Sequence, residues 1–232
     1  DTKAKNLSGF SALFMASISG NLDLVKIFAD KGANVNIKNL TGYTPLHSAA
    51  SYGRTEVVKF LVEKGADINA ENNEGDQPLA MAVGRNSYDA ARFLISKGAE
   101  VNHKNIHGIT ALHNAAGRGN IAVAQLLIEH GADVNVSTTD GFVPLTYAAW
   151  ADNAGETGKF LILNGADVNP DPCTDQKACT CGPNFRTPLH AACSSGKLDL
   201  MEILVDNGAR INLYDNTGLT PLHWAVKSGN ID

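Results

Sequence analysis

"TGYTPLHSAASYGRTEVVKFLVEKGADIN", residues 41–69, is the stretch that decides the fold. Thr44 is a helix N-cap by type, and Pro45 suits the first helical position, where a missing N–H costs nothing. Leu46, Ala49 and Ala50 give that helix a small-residue face that lets a neighbour approach closely. Gly53 ends it. Val57, Val58, Leu61 and Val62 recur at helical spacing, an apolar stripe for a second helix, and Gly65 stops it. "ADINAENNEGD", residues 66–76, then supplies turn residues, with Gly75 two places before the next tetrad, where a positive φ is wanted. One unit is therefore helix, turn, helix and a hairpin loop.

The unit recurs. Tetrads begin at Ser11 ("SALF"), Thr44 ("TPLH"), Gln77 ("QPLA"), Thr110 ("TALH"), Val143 ("VPLT"), Thr187 ("TPLH") and Thr220 ("TPLH"). The step is 33 residues, except for 44 between Val143 and Thr187. A second marker runs in phase with the first: "GANVN" from Gly32, "GADIN" from Gly65, "GAEVN" from Gly98, "GADVN" from Gly131 and Gly165, and "GARIN" from Gly208. Two markers in register point to a repeat architecture.

The quoted stretch resembles the ankyrin repeat family almost residue by residue, and the resemblance covers nearly the whole chain. It implies an all-α ankyrin repeat solenoid of stacked antiparallel helix pairs with projecting β-hairpin loops. The expected organisation is one array over residues 1–232, with repeats near 7–39, 40–72, 73–105, 106–138, 139–182, 183–215 and 216–232. An insertion loop is expected at about 170–183. Stability should be a sum of neighbour interfaces rather than one core. "SGNID" at the C-terminus should lead into a second helix, and Leu7, Phe10 and Phe14 are apolar where a cap would be polar. Both suggest a piece of a larger protein.

The departures are local. Phe14, Ala80 and Thr146 stand where other tetrads carry His, which predicts weaker hydrogen bonding at those helix starts. The fifth repeat has one extra residue between its helices, near 151–156. Ten further residues lengthen the hairpin that follows, and Phe185 replaces its glycine, disfavouring the positive-φ turn.

Bulk properties exclude several functions. The 232 residues carry a net charge of −5 with basic residues scattered singly, so no nucleic acid partner is expected. The apolar runs fall far short of a membrane span, and the N-terminus has no apolar signal core. The sequons at Asn6, Asn39 and Asn135 matter only in a secreted protein. No phosphate loop, HExxH or Ser-His-Asp arrangement is visible, and acids that recur every 33 residues belong to the architecture. The chain reads as non-catalytic, with no cofactor.

His47, His113, His190 and His223 all occupy the tetrad position, and the family resemblance implies that each braces a helix start. His103, His107 and His130 are expected to be solvated. Cys173, Cys179 and Cys181 leave three readings open: a zinc site, a loop disulfide, or three reduced thiols. Cys193, the obvious fourth ligand, aligns with the packed helix positions Ala50 and Ala116, which argues against zinc. The expected location is cytoplasmic, or secreted if the loop cysteines pair. Asn69, Asn102, Asn135 and Asn169 resemble substrate sites of the asparaginyl hydroxylase that modifies ankyrin repeats, though this Asn belongs to the fold pattern anyway.

The resemblance implies a monomeric array whose hairpin tips and first helices line a concave face that binds another protein or peptide. Carried over position by position, the tips contribute Leu40, Tyr43, Asp76, Ile106, Ile109, Phe142 and Arg186. The first helices contribute Tyr52, Arg85, Arg118 and Trp150. Tyr, Trp and Arg are the types that carry most interface energy. Tyr43, Tyr52, Phe142 and Trp150 are expected to act as apolar anchors, with Arg85 and Arg118 pairing acids on the partner. Two other readings stay open: a recognition arm of a larger enzyme, channel, bacterial effector or secreted toxin, and a metal- or redox-responsive cysteine loop.

Overall fold

The computed structural model describes residues 4–170 and 186–230. Cys173, Cys179 and Cys181, with Phe185 and most of the insertion, lie outside the described residues. The chain divides into two units, Asp1–Ile106 and His107–Asp232.

The N-terminal unit holds three helix pairs: α1 (Ala12–Ser19) with α2 (Leu22–Asp30), α3 (Pro45–Ser51) with α4 (Thr55–Glu63), and α5 (Pro78–Gly84) with α6 (Tyr88–Ser96). The first helices pack in sequence order, α1 on α3 and α3 on α5, and the second helices do the same. The C-terminal unit holds α7 (Ala111–Gly117), α8 (Ile121–Glu129), α9 (Pro144–Ala148), α10 (Ala154–Leu163), α11 (Pro188–Ser195), α12 (Leu198–Asp206) and α13 (Pro221–Lys227). Here α9 packs on α11 and α10 on α12, so the stack runs on past the insertion. Among the described residues there are no strands, only an isolated bridge between Lys5 and Ser11.

The core repeats with the sequence. Leu46, Leu79, Leu112, Leu145 and Leu189, one on each of α3, α5, α7, α9 and α11, are all buried, as are Leu61, Leu94, Leu127, Leu161 and Leu204 on the second helices. The small residues Ala49, Ala50, Ala82, Ala115, Ala116 and Ala192 are fully covered, the close approach that their size permits.

The hairpins are tight turns closed by a side chain rather than by a strand ladder. Asn39 Oδ1 accepts from the N–H groups of Thr41 and Tyr43 at 3.0 and 2.9 Å. Asn72 does the same for Glu74 and Asp76, and Asp215 for Thr217 and Leu219. Tips then join by single backbone bonds: Asn73 N–H donates to Thr41 O at 3.1 Å, and Thr139 N–H to His107 O at 2.9 Å. The glycine at the first of these tips is required twice over. Gly42 has φ +79°, and a Cβ there would sit 2.7 Å from the Asn73 nitrogen.

A second set of side chains links successive loops. Asn36 donates to Gly65 O and accepts from Asp67 N–H; Asn135 does so with Gly165 and Asp167, and Asn169 with Gly208 and Arg210. The last pair reaches across the insertion, so the loops on either side of it keep the register of the others.

Candidate partner-binding surface

The tetrad histidines are consumed by the fold. His47 Nδ1 accepts the Thr44 backbone N–H at 3.1 Å, and the Thr44 hydroxyl lies 2.8 Å from the same nitrogen. That acceptor role assigns the ring proton to Nε2, which donates to the Asp76 carbonyl at 3.0 Å. His113 repeats the pattern toward Phe142 O at 3.0 Å, and His190 toward Leu219 O at 3.1 Å. Each histidine thus caps its own helix and pins the next hairpin. Burial holds His47 down at about 4 against its ordinary 6.5, so the ring is neutral.

Where the tetrad lacks His, the helix start loses its box. Gln77 and Val143 make no side-chain cap, and Ser11 caps only the Phe14 N–H. The buried Thr146 hydroxyl and Gln77 Oε1 have no hydrogen-bond partner. His103, expected to be solvated, is instead largely covered. Its Nε2 lies 2.8 Å from Gly75 O, and Glu71 and Glu100 flank the ring at 3.6 and 3.4 Å.

The candidate contact residues fall into two sets, one per unit. In the N-terminal unit Leu40 is 71% exposed, Ile106 is exposed and Tyr52 is 57% exposed. Tyr52 and Arg85 are the C-cap residues of α3 and α5. Tyr43 is half-buried against the His47 ring, with centroids 5.5 Å apart. Asp76 is turned inward: its carboxylate accepts from Asn105 at 2.9 Å and its carbonyl from His47.

In the C-terminal unit the aromatic candidates meet. Phe142 and Trp150 lie edge to face at 6.1 Å, and Tyr147 joins them with its ring 4.7 Å from Trp150. His113 sits at 4.9 Å from Tyr147, so the group rests on a fully buried ring. Trp150 remains 50% exposed. The extra residue of the fifth repeat explains its placement. Helix α9 has only five residues and closes by tight turns, Trp150 N–H to Tyr147 O and Ala151 N–H to Ala148 O, both at 3.0 Å. The positive-φ residue that follows other first helices, such as Gly53, Gly119 or Gly196, is absent here. Asn153 then donates to Gly119 O at 3.0 Å, which sets the turn beside Arg118, the exposed C-cap of α7. Ile109 is half-buried.

Arg186 lies apart from this group. Its guanidinium stacks on the Trp224 ring at 3.6 Å, with Lys227 at 4.5 Å from the same ring. The Trp224 indole N–H donates to Asp215 at 2.7 Å. Burial raises the Asp215 carboxyl, but the donors from Thr217, Leu219 and Trp224 outweigh it and hold it near 2.

Sequence reading missed Tyr147 and Trp224. Both occupy the position straight after the tetrad, where Ser48, Met81, Asn114 and Ala191 stand elsewhere. A bulky aromatic breaking that series was the available signal. Gly117 lies against this ring, where a Cβ would make an ordinary van der Waals contact with Tyr147 at 3.4 Å.

At the far end of the C-terminal unit lies an apolar groove of about 850 Å³, lined by Leu198, Met201, Val205, Leu222 and Val226 with Asp206 on its rim. Leu222 is 71% exposed, whereas its counterpart Leu46 is 0% exposed. Among the described residues no cluster of side chains suits a metal ion, and no helix is long and apolar enough to cross a membrane.

Paired helices, reciprocal Thr–His caps and single-bond hairpin tips define a repeat protein built by stacking. An ankyrin repeat pattern matches residues 13–105, 79–172 and 170–232, and the chain belongs to the ankyrin repeat family. It is similar to the putative ankyrin repeat protein FPV223 of fowlpox virus, 33% identical over 98 residues, which is 31% of this chain and 66% of the viral protein. It is similar to mouse Rabankyrin-5, 35% identical over 86 residues, 36% of this chain and 7% of that protein. A segment of 42 residues is 52% identical to the Arabidopsis thaliana ADP-ribosylation factor GTPase-activating protein AGD2, covering 18% of this chain and 5% of that one.

Proposed function

We propose that the chain is a non-catalytic interaction module that binds a protein or peptide through its hairpin tips and the C-terminal ends of its first helices. The observation that carries this reading is the Phe142–Tyr147–Trp150 group. Three aromatic rings share one partly exposed face. Exposed aromatics beside Arg are the usual composition of interface anchors. Tyr52, Leu40 and Ile106 offer a comparable, more dispersed surface on the N-terminal unit. The small shares of Rabankyrin-5 and AGD2 that the matches cover support a second reading, a recognition arm within a larger protein. The test is alanine substitution of Trp150, Tyr147 and Tyr52, scored for partner affinity and for melting temperature. Anchors lose affinity by about 2 kcal/mol while the melting temperature holds; affinity unchanged in all three variants would place binding elsewhere.

A further inference from the structure

The two units differ in charge. Residues 107–232 contain thirteen Asp and Glu against seven Lys and Arg, a formal −6. Residues 1–106 contain eleven against twelve, a formal +1. The negative charge of the chain therefore belongs to the unit that carries the aromatic group. Acids sit close to that group. Asp140 is two residues before Phe142 on the hairpin and acts on Tyr147, whose hydroxyl is pushed up first by burial and then by the Asp140 charge. Asp152 is exposed two residues after Trp150.

The two tryptophans of the chain make an internal comparison. The Trp224 ring already carries two cations, Arg186 at 3.6 Å and Lys227 at 4.5 Å, and its N–H is bound to Asp215. That is an arene, a cation and a carboxylate assembled from the chain's own residues. Trp150 is half-exposed, packs on the Tyr147 ring on which the Asp140 charge acts, and among the described residues has no cation over its own ring. A cation laid on an indole face is attracted by the ring quadrupole, and a nearby carboxylate adds to that attraction.

We infer that this face takes a basic segment of a protein partner, with a Lys or Arg side chain laid on the Trp150 ring beside Asp140 and aliphatic neighbours against Phe142 and Tyr147. This deepens the proposed function and rests on it. It also reverses one expectation drawn from the sequence: Arg118, next to the Trp150 turn, opposes such a partner rather than pairing with it.

The experiment selects binders from a random twelve-residue peptide display library on the full chain, then measures affinities of individual synthetic peptides at two salt concentrations. The expected binders are rich in Lys or Arg beside Leu, Ile or Val, and weaken as salt rises. Trp150→Ala should lower their affinity about tenfold, within the range for a partly desolvated cation–π contact. Asp140→Asn, which removes charge from a half-buried site, should lower it by about threefold. Arg118→Ala should leave it unchanged or tighten it. Melting temperatures of all three variants separate lost binding from lost fold. Acidic or uncharged binders that depend on Trp150 would overturn the basic-partner inference and leave the interaction face standing. Binders indifferent to Trp150 and Phe142 substitutions would overturn both.

Discussion

His47 and Asp76 are joined across the repeat boundary by one hydrogen bond, from the ring Nε2–H to the Asp76 carbonyl at 3.0 Å. The bond exists because Thr44 occupies the other ring nitrogen and fixes the proton on Nε2. One side chain thus serves helix capping, hairpin placement and inter-repeat packing together. Protonating it removes the acceptor for the Thr44 N–H and buries a charge.

Acid should therefore begin to destabilise the fold at a pH above the carboxylate range. The folded pKa of His47 is about 4 and the ordinary value is 6.5. The unfolded chain binds the extra proton between those values, so stability rises with pH there. The contribution is complete above about 6.5 and is lost as pH falls toward 4, amounting to about 3 kcal/mol for this ring. His190 is lowered in the same direction by burial and adds to the effect. Urea unfolding of the wild type and of His47→Gln between pH 7 and pH 4 checks this. The variant should be less stable at pH 7 and show a shallower fall.

Gly42→Ala should destabilise by more than about 1 kcal/mol, since it combines a positive φ with a Cβ pressed on the Asn73 backbone. Gly65→Ala has the same sign of φ but open space around the added methyl, so its cost should be smaller. Paired thermal melts distinguish backbone strain from collision.

Threonine changes at opposite ends of the tetrad should have opposite consequences. Thr44→Val removes a cap and orphans the His47 system, costing about 1–2 kcal/mol. Thr146→Val removes a buried hydroxyl that has no partner, and should be neutral or stabilising. Differential scanning calorimetry of both variants suffices.

The leucine at the second tetrad-helix position should lose its importance along the chain. Leu46→Ala opens a cavity in a fully buried site and should cost about 2–5 kcal/mol. Leu222→Ala alters a side chain that is 71% exposed and should cost well under about 1 kcal/mol. Chemical denaturation of each variant provides the comparison.

The helix pairs, caps and hairpin turns were legible because each rests on local chemistry repeated at one period: Thr before Pro, Gly at a positive φ, apolar residues at helical spacing. The burial of His103 was not legible. Its surroundings, Glu71, Glu100 and the Gly75 carbonyl, come from neighbouring loops whose side-chain directions no spacing rule supplies. The aromatic face was half legible. Phe142 and Trp150 stood out as bulky residues at turn positions, but Tyr147 was passed over because the packed side of α9 cannot be told from its open side in a helix of five residues. The shortened helix itself follows from one inserted residue, whose effect on the turn depends on which φ angles it displaces.

We propose that the partner binds at the aromatic face of the C-terminal unit. Hydrogen–deuterium exchange of the full chain, with and without a saturating selected peptide, tests it most directly. Added protection is expected in the 138–150 segment and its Trp150 turn, with little change at α12 and α13. Protection concentrated at the Leu198–Leu222 groove, with the 138–150 segment unchanged, would contradict it.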